Sequence, residues 1–147
     1  MNQSESKKLK AIIVDDEELA RQGLSMRIEQ YEDLEIVAEC RNGKEAIAAI
    51  IEHEPDVVFL DIQMPGMTGF EVINEVQGDV MPMIIFVTAY DAFAVAAFKV
   101  HAIDYLLKPV EVEGLARAID RAKQQKEQKV AIPEKQKLLE LAVRLTG

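Results

Sequence analysis

The sequence contains one cysteine, Cys40, and no tryptophan. A single cysteine excludes an internal disulfide bond and is typical of a protein in the reducing cytoplasm. The unbroken apolar stretches, such as residues 92–98, are far too short to span a bilayer, and no signal peptide follows the polar residues 1–8. We therefore expect a cytoplasmic protein that does not associate with membranes.

Basic residues are in the minority, with 17 Lys and Arg against 26 Asp and Glu, and the net charge is −9. The acidic excess lies in residues 1–110, whereas residues 111–147 are slightly basic. An acidic body repels the phosphates of nucleic acids and attracts cations. We therefore expect that this chain itself binds no nucleic acid.

Short apolar runs alternate with amphipathic helical stretches along the chain. The runs are rich in Ile, Val, Phe and Leu, as in strands buried on both faces, and lie at residues 10–14, 34–39, 56–60, 83–87 and 102–106. Helices are predicted near residues 17–30, 43–53, 68–77, 91–100 and 111–128. This alternation predicts a doubly wound α/β fold with a parallel sheet and helices on both faces.

The pattern predicts one domain over residues 9–128, preceded by a disordered N-terminus at residues 1–8. Residues 129–147 are predicted to be a linker or a C-terminal helix, because four apolar residues share one helical stripe: Leu138, Leu141, Ala142 and Leu145. Such a helix packs on its own domain or frays, or else it is a linker helix that pairs with a partner or leads to a missing output domain. The stripe is too short to decide between the two.

Polar residues follow the predicted strands at their carboxyl ends, where the loops of a parallel sheet line one crevice. These residues are Asp15 and Asp16 after the first strand, Asp61 after the third, Thr88 after the fourth and Lys108 after the fifth. The sequence therefore predicts that three carboxylates, a hydroxyl and an ammonium group meet at one edge of the sheet.

Such a carboxylate cluster is tolerated only if it is protonated or bridged by a cation. Oxygen ligands without His or Cys favour Mg²⁺ or Mn²⁺ over zinc. We expect Mg²⁺ to bind Asp16 and Asp61 directly and to leave a position for a phosphoryl oxygen. Asp61 can then attack phosphorus as a nucleophile, while Lys108 and Thr88 bind the other phosphoryl oxygens.

Each of these residues also has an ordinary structural explanation. Acidic residues at 15–18 are favoured at a helix N-terminus, Thr88 suits a strand, and Lys108 alone is typical of a solvated surface. Asp61 is harder to explain in this way, because a charge that closes an apolar strand is costly to bury. The functional interpretation therefore depends on the combination.

The two histidines are predicted to lie away from the acidic edge. His53 ends the second helix and His101 precedes the fifth strand, so both fall at the amino edge of the sheet. A phosphoryl group must therefore come from outside this chain. Cys40 is predicted to be a small buried hydrophobic residue rather than a nucleophile.

Four stretches resemble the receiver domain of two-component response regulators: Val-Asp-Asp-Glu at 14–17, Leu-Asp-Ile-Gln-Met-Pro-Gly-Met-Thr-Gly at 60–69, Val-Thr-Ala-Tyr at 87–90 and Tyr-Leu-Leu-Lys-Pro at 105–109. The resemblance covers residues 9–128. Residues 88–98 and 102–110 further resemble receivers of the LytTR class of transcriptional regulators, which usually carry a DNA-binding domain after the receiver. Nothing after residue 128 resembles that domain, so we expect the output domain to be absent from this chain.

The resemblance implies a flavodoxin-like (βα)5 fold with the strand order 2-1-3-4-5. It implies that Asp61 is the phosphoacceptor and that the Mg²⁺ ligands are Asp15, Asp16, Asp61 and the main-chain carbonyl of Gln63. The phosphoryl group would contact Thr88, Ala89 and Lys108, and a cis peptide bond would join Lys108 to Pro109. Thr88 and Tyr105 would form the switch pair.

The resemblance also implies a sensor histidine kinase as the partner, and no enzymatic activity beyond self-catalysed phosphoryl transfer and autodephosphorylation. Gln63 and Tyr90 are predicted to face the attacking water, and they leave the lifetime of the phosphorylated state open. A homodimer is expected, because the fourth helix is apolar on nearly every face. Its output face is predicted to include Phe93, Ala96, Ala97 and Val100, although an alanine-rich surface with one exposed aromatic residue is also common.

Other functions fit the sequence less well. Acidic residues at 15–18 would repel a flavin phosphate, which disfavours a flavodoxin-like electron carrier. A phosphatase of the haloacid dehalogenase type would carry its nucleophile after the first strand, with a second Asp two residues later. A dinucleotide dehydrogenase would need a Gly-x-Gly-x-x-Gly turn, which the sequence lacks. The main alternative is a stand-alone or phosphorylation-independent receiver that acts as a protein-interaction module.

Overall fold

The computed structural model describes residues 8–76 and 81–131. Five strands alternate with five helices, in the order β1 (Leu9–Val14), α1 (Glu18–Ile28), β2 (Leu34–Cys40), α2 (Gly43–His53), β3 (Val57–Leu60), α3 (Gly69–Glu75), β4 (Met83–Thr88), α4 (Ala94–Lys99), β5 (Asp104–Leu107) and α5 (Val112–Ala131). Within these residues no helix is long and apolar enough to cross a membrane. The predicted helical stripe at residues 138–145 and most of the predicted disordered N-terminus lie outside the described residues.

The strands form one parallel sheet in the order β2-β1-β3-β4-β5, which confirms the predicted fold. The register between β1 and β3 aligns Val14 with Leu60. The N–H of Asp61 continues this ladder by donating to the carbonyl of Val14 at 3.0 Å. Asp15 and Asp61 therefore leave the sheet side by side, because each follows directly after one residue of an aligned pair.

The central strands β1, β3 and β4 are buried on both faces because they are apolar in nearly every position. Alternate residues face opposite ways, so Ile13 and Phe59 belong to one core while Ile12 and Val58 belong to the other. Helices α1 and α5 cover the first core, and α2, α3 and α4 cover the second. One core lies on each face of the sheet, and the loops at the carboxyl edge lie between the two helix layers.

Ion pairs fasten α5 to the opposite, amino edge of the sheet. Lys126 Nζ lies 2.5 Å from Oδ1 of Asp56, which precedes β3, and Lys123 Nζ lies 2.6 Å from Oδ2 of Asp33, which precedes β2. α5 continues to Ala131, three residues beyond its predicted end.

Two predicted elements differ from the structure in their boundaries. α4 is shorter than the predicted helix at residues 91–100, because a turn in which Ala94 N–H faces the Asp91 carbonyl precedes it. The fifth strand begins at Asp104 rather than at residue 102, since Ala102 N–H donates to the Ala97 carbonyl and so still belongs to the end of α4. His101, at the turn between them, has a positive φ of 63°.

Candidate functional site

Three carboxylates meet at the carboxyl edge of the sheet, as predicted. One oxygen each from Asp15, Asp16 and Asp61 lies within 4.8 Å of the others. Asp15 and Asp61 are only 4% and 5% exposed, whereas Asp16 is exposed to solvent. The cluster thus has two buried members and one open to solution.

Asp15 is held by several contacts. Its N–H donates to the carbonyl of Cys40 at 3.0 Å, and its Oδ1 accepts from the N–H of Glu17 at 2.9 Å. Its Oδ2 lies 2.8 Å from Nζ of Lys108. The side chain of Asp15 is therefore fixed in the site, and its hydrogen bond with the N–H of Glu17 also stabilises the turn that leads into α1.

Lys108 bridges the acidic residues. Its Nζ donates to Oδ2 of Asp61 at 3.2 Å and to Oε1 of Glu17 at 3.4 Å. The peptide bond between Lys108 and Pro109 is cis, as predicted, and the N–H of Lys108 donates to the carbonyl of Thr88 at 2.8 Å. Burial by itself lowers the pKa of Lys108, but hydrogen bonds and charges from Asp15 and Asp61 outweigh it and raise the pKa. The side chain is therefore a stable ammonium group.

The pKa of Asp61 is raised above its ordinary value. Burial is the main cause, the charge of Lys108 opposes it, and the charge of Asp15 adds to it. One ammonium group cannot neutralise three carboxylates, so the site keeps a negative charge. An all-oxygen donor set with excess negative charge fits a hard divalent cation such as Mg²⁺.

The segment after β3 passes directly over the phosphoacceptor candidate. The N–H of Gln63 donates to Oδ1 of Asp61 at 3.3 Å, and the side chain of Gln63 is exposed. Gly69, the first residue of α3, packs against the main chain of Asp61. A Cβ atom at Gly69 would lie 2.6 Å from the Asp61 carbonyl oxygen and 3.2 Å from Cα of Ile62. Only glycine permits this approach.

Thr88 and Tyr105 are connected through the segment that follows β4. The side chain of Thr88 is fully buried, and its Oγ1 accepts from the N–H of Tyr90 at 3.4 Å. The hydroxyl of Tyr105 donates to the carbonyl of Tyr90, and its ring centroid lies 6.2 Å from that of Phe86. Ala89 lies between Thr88 and Tyr90 in the chain and is exposed. The predicted switch residues therefore share one partner, Tyr90.

The predicted output face is only partly at the surface. Ala97 is 2% exposed and packs in the second core, so the prediction that it lies on this face is wrong. The reason is that α4 turns this side toward the sheet. Phe93 and Val100 are half-buried against the same core, and Ala96 is half-buried. Among the α4 side chains that the structure describes, Val95 is a large apolar residue that is strongly exposed, at 70%.

The histidines lie where they were predicted. His53 ends α2, and its carbonyl accepts from Nζ of Lys10 near the start of β1, while His101 precedes β5. Both therefore lie at the amino edge, away from the acidic cluster. Cys40 is buried, as predicted, and burial raises the pKa of its thiol to about 11.

Two residues of the site were missed in the sequence. Gly69 stands in the Pro-Gly-Met-Thr-Gly stretch, so its presence was visible but its contact with Asp61 was not. Arg21 is mostly buried beside the acidic turn and donates to the carbonyl of Asp15 at 2.7 Å. Its position on a helix with mixed polar residues carried no signal that could have identified it.

Comparison with known proteins agrees with this geometry, because residues 11–120 match the model of the response regulator receiver domain. The chain belongs to this family. It is the receiver domain of a two-component response regulator. Receiver domains generally bind Mg²⁺ at an acidic pocket, and three aspartates form an acidic cluster here.

Curated relatives are similar over most of this receiver. It is 44% identical over 133 residues to the transcriptional regulatory protein BtsR of Salmonella typhi, covering 89% of this chain and 56% of the relative. It is 52% identical over 113 residues to an uncharacterized response regulatory protein of Yersinia pestis, covering 77% of this chain and 48% of the relative. The chain thus spans about half the length of the curated relatives that it matches.

Solved structures share the fold. The receiver domain of AraT, a response regulator from Geobacillus stearothermophilus, has a TM-score of 0.75 and 34% identity, and covers 82% of this chain and 97% of its own. The response regulatory domain of mrkE from Klebsiella pneumoniae has a TM-score of 0.76 and 34% identity, and covers 82% and 99%.

Proposed function

We propose that this receiver is a Mg²⁺-dependent phosphorylation switch with Asp61 as its phosphoacceptor. The observation that carries the proposal is the convergence of Asp15, Asp16 and Asp61 within 4.8 Å, with Lys108 bridging two of them. Asp61 closes β3 and is held by the N–H of Gln63, so one carboxylate oxygen is oriented by the chain while the other faces Lys108. A buried acid presented in this way is suited to nucleophilic attack.

The proposed reaction is transfer of a phosphoryl group to this carboxylate. An oxygen of Asp61 forms the new bond to phosphorus as the bond between phosphorus and the donor breaks. The bonding pair leaves with the donor, which is a phosphohistidine of a sensor kinase or a small phosphodonor such as acetyl phosphate. Lys108 then binds a phosphoryl oxygen, and Thr88 and the main chain at Ala89 bind another.

The residues that would hold Mg²⁺ are Asp15, Asp16, Asp61 and the main-chain carbonyl of Gln63. The bound cation would neutralise charge that develops on the phosphoryl oxygens. Of the three acids, Asp16 is the exposed one and can exchange water for cation without unfolding the site. The chain is not an enzyme toward separate substrates, since the group that it transfers ends on its own Asp61 and is later lost to water.

The proposed output runs through Thr88 and Tyr105 to α4, β5 and α5. Both residues contact Tyr90, so a shift of Thr88 toward a phosphoryl oxygen would disturb the contact made by Tyr105. The face beside them carries exposed apolar side chains, Val95 on α4 and Leu107 on β5, at 70% and 46% exposure. We infer that phosphorylation changes this face and promotes a homodimer.

The whole regulator is proposed to control transcription in the cytoplasm. One curated relative is called a transcriptional regulatory protein, and this chain spans about half of its length. The LytTR-like stretches at residues 88–98 and 102–110 favour a LytTR DNA-binding domain as the output. In this arrangement the receiver itself contacts a sensor histidine kinase, and DNA is bound by the output domain.

The test is to incubate the chain with acetyl phosphate and Mg²⁺ and to measure added phosphate by intact mass. A single adduct is expected, absent with a chelator and absent in Asp61→Asn. Asp56→Asn, at the other end of β3, is the matched control and should still be phosphorylated. Lack of an adduct in the unaltered chain would contradict the proposal and favour the phosphorylation-independent interaction module.

A further inference from the structure

Arg21 of α1 makes a direct contact with the main chain of the acidic pair. Its Nη1 donates to the carbonyl oxygen of Asp15 at 2.7 Å. That carbonyl belongs to the peptide bond that joins Asp15 to Asp16. The contact therefore acts on the peptide plane between the two acids, and not on either carboxylate.

The guanidinium of Arg21 is itself held in place. Its Nε lies 3.7 Å from Oε1 of Glu39 on β2, and the side chain of Arg21 is only 11% exposed. The other carboxylate oxygen of Glu39 accepts from the hydroxyl of Ser25, a buried residue one helical turn after Arg21, at 3.0 Å. Ser25 and Arg21 thus contact Glu39 from the same face of α1, and Glu39 is the ion-pair partner beside the guanidinium of Arg21.

We propose that Arg21 is a positioning residue that orients Asp16 for cation binding through the peptide bond between Asp15 and Asp16. This inference rests on the proposed Mg²⁺ site. The carboxylate of Asp15 is already fixed by Glu17 N–H and Lys108. Asp16 is exposed, so its direction depends on the main chain that carries it. Arg21 is the side chain that fixes this main chain from the helix side.

The direction in which the Mg²⁺ affinity changes when Arg21 is replaced distinguishes a positioning role from a purely electrostatic one. Arg21 is a cation close to the acidic pair, so by charge alone its removal would strengthen Mg²⁺ binding. If Arg21 positions Asp16, its removal weakens Mg²⁺ binding, because the ligand must be ordered when the cation binds. The two explanations thus predict opposite changes in the same measured constant.

The experiment is a Mg²⁺ titration of ¹⁵N-labelled protein, followed by NMR on the amides near Asp61. We expect Arg21→Gln to raise the dissociation constant by about tenfold, at the low end of the effects of residues that orient metal ligands. Arg21→Lys should raise the dissociation constant by about threefold, less than Arg21→Gln does. One ammonium group cannot contact both Asp15 and Glu39 as the planar guanidinium does. The NMR spectrum also shows whether each variant is folded.

Arg27→Gln is the matched control. Arg27 lies on the same helix and also donates to a main-chain carbonyl, but that of Val110. The dissociation constant of the Arg27→Gln variant for Mg²⁺ should equal that of the unaltered chain. Unchanged or tighter binding in a folded Arg21 variant, or an equal loss in Arg27→Gln, would overturn the inference. If the unaltered chain binds no Mg²⁺, it is the proposed function that fails.

Discussion

Nζ of Lys108 lies 3.2 Å from Oδ2 of Asp61, while the other oxygen, Oδ1, accepts from the N–H of Gln63. The ammonium group holds this carboxylate in the absence of a phosphoryl group, and the proposed reaction would give it a phosphoryl oxygen instead. The strong hydrogen bonds and charges around Lys108 keep it protonated throughout the physiological pH range.

Lys108→Met should slow phosphorylation of Asp61 by acetyl phosphate by about a hundredfold, as for the loss of one preorganised donor to a developing charge. The rate is measured by intact mass at fixed Mg²⁺. Lys99→Met, on the exposed side of α4, should react at the rate of the unaltered chain. Equal rates in both variants would contradict the role of Lys108.

Asp61→Asn should stabilise the metal-free domain at neutral pH, because it removes a buried charge that burial and Asp15 disfavour. The raised pKa means that the folded state binds a proton at Asp61 more tightly than the unfolded state does. The stabilising contribution of this residue is therefore complete below its unfolded pKa and is lost as the pH rises through its folded pKa. Urea unfolding with a chelator should show the advantage of the variant at pH 7 and its decrease in acid.

Asp56→Asn, at the other end of β3, should change the free energy of unfolding in the opposite direction. Asp56 pairs with Lys126 and accepts the N–H of Lys10, so its loss should destabilise the domain. A destabilised Asp61→Asn at pH 7 would show that repulsion and burial do not dominate at Asp61.

Gly69→Ala should destabilise the domain by about 2 kcal/mol, since the new Cβ atom meets the rigid main chain of Asp61 and Ile62. Phosphorylation should also slow, because the displaced backbone carries the phosphoacceptor. Gly23→Ala is the control. Gly23 lies within α1, and its added Cβ would have no atom within 4 Å apart from neighbouring residues and the backbone of its own helix, so the change should stabilise the domain by about 0.5 kcal/mol. The free energy of unfolding in urea measures both changes.

Val95→Asp should abolish the association that follows phosphorylation while leaving phosphorylation itself intact. A charge on the exposed apolar face would have to be desolvated in the dimer. Sedimentation velocity before and after treatment with acetyl phosphate gives the test. Leu19→Asp, at an apolar position of α1 that is 83% exposed, should still associate. Dimers of the Val95 variant would exclude this face.

Much of the fold and the site could be predicted from the sequence, because both depend on short-range patterns. The apolar runs fixed the strands, and the topology of a parallel sheet brought Asp15, Asp61 and Lys108 together. The details that were missed depend on packing in three dimensions. Ala97 looked like a surface residue in an apolar helix, but which side of α4 faces the sheet is decided by tertiary contacts.

Gly69 and Arg21 illustrate a second limit of prediction from the sequence. The close approach of Gly69 to Asp61 depends on where the loop between β3 and α3 returns. Arg21 lies on α1 and pairs with Glu39, a residue 18 positions later on β2. Hydrophobic periodicity describes faces of single elements, so it cannot reveal a polar side chain that links two of them.

The ion pairs between α5 and the amino edge of the sheet are sensitive to ionic strength. Lys123–Asp33 is exposed on both sides, and the Lys126 side chain is 46% exposed, so dissolved salt screens these pairs. The contacts of Lys108 with Asp15 and Asp61 are mostly buried and are screened far less. Concentrated salt should therefore loosen the far end of α5 while the acidic pocket keeps its geometry, so the two edges of one sheet differ in their sensitivity to the surrounding electrolyte.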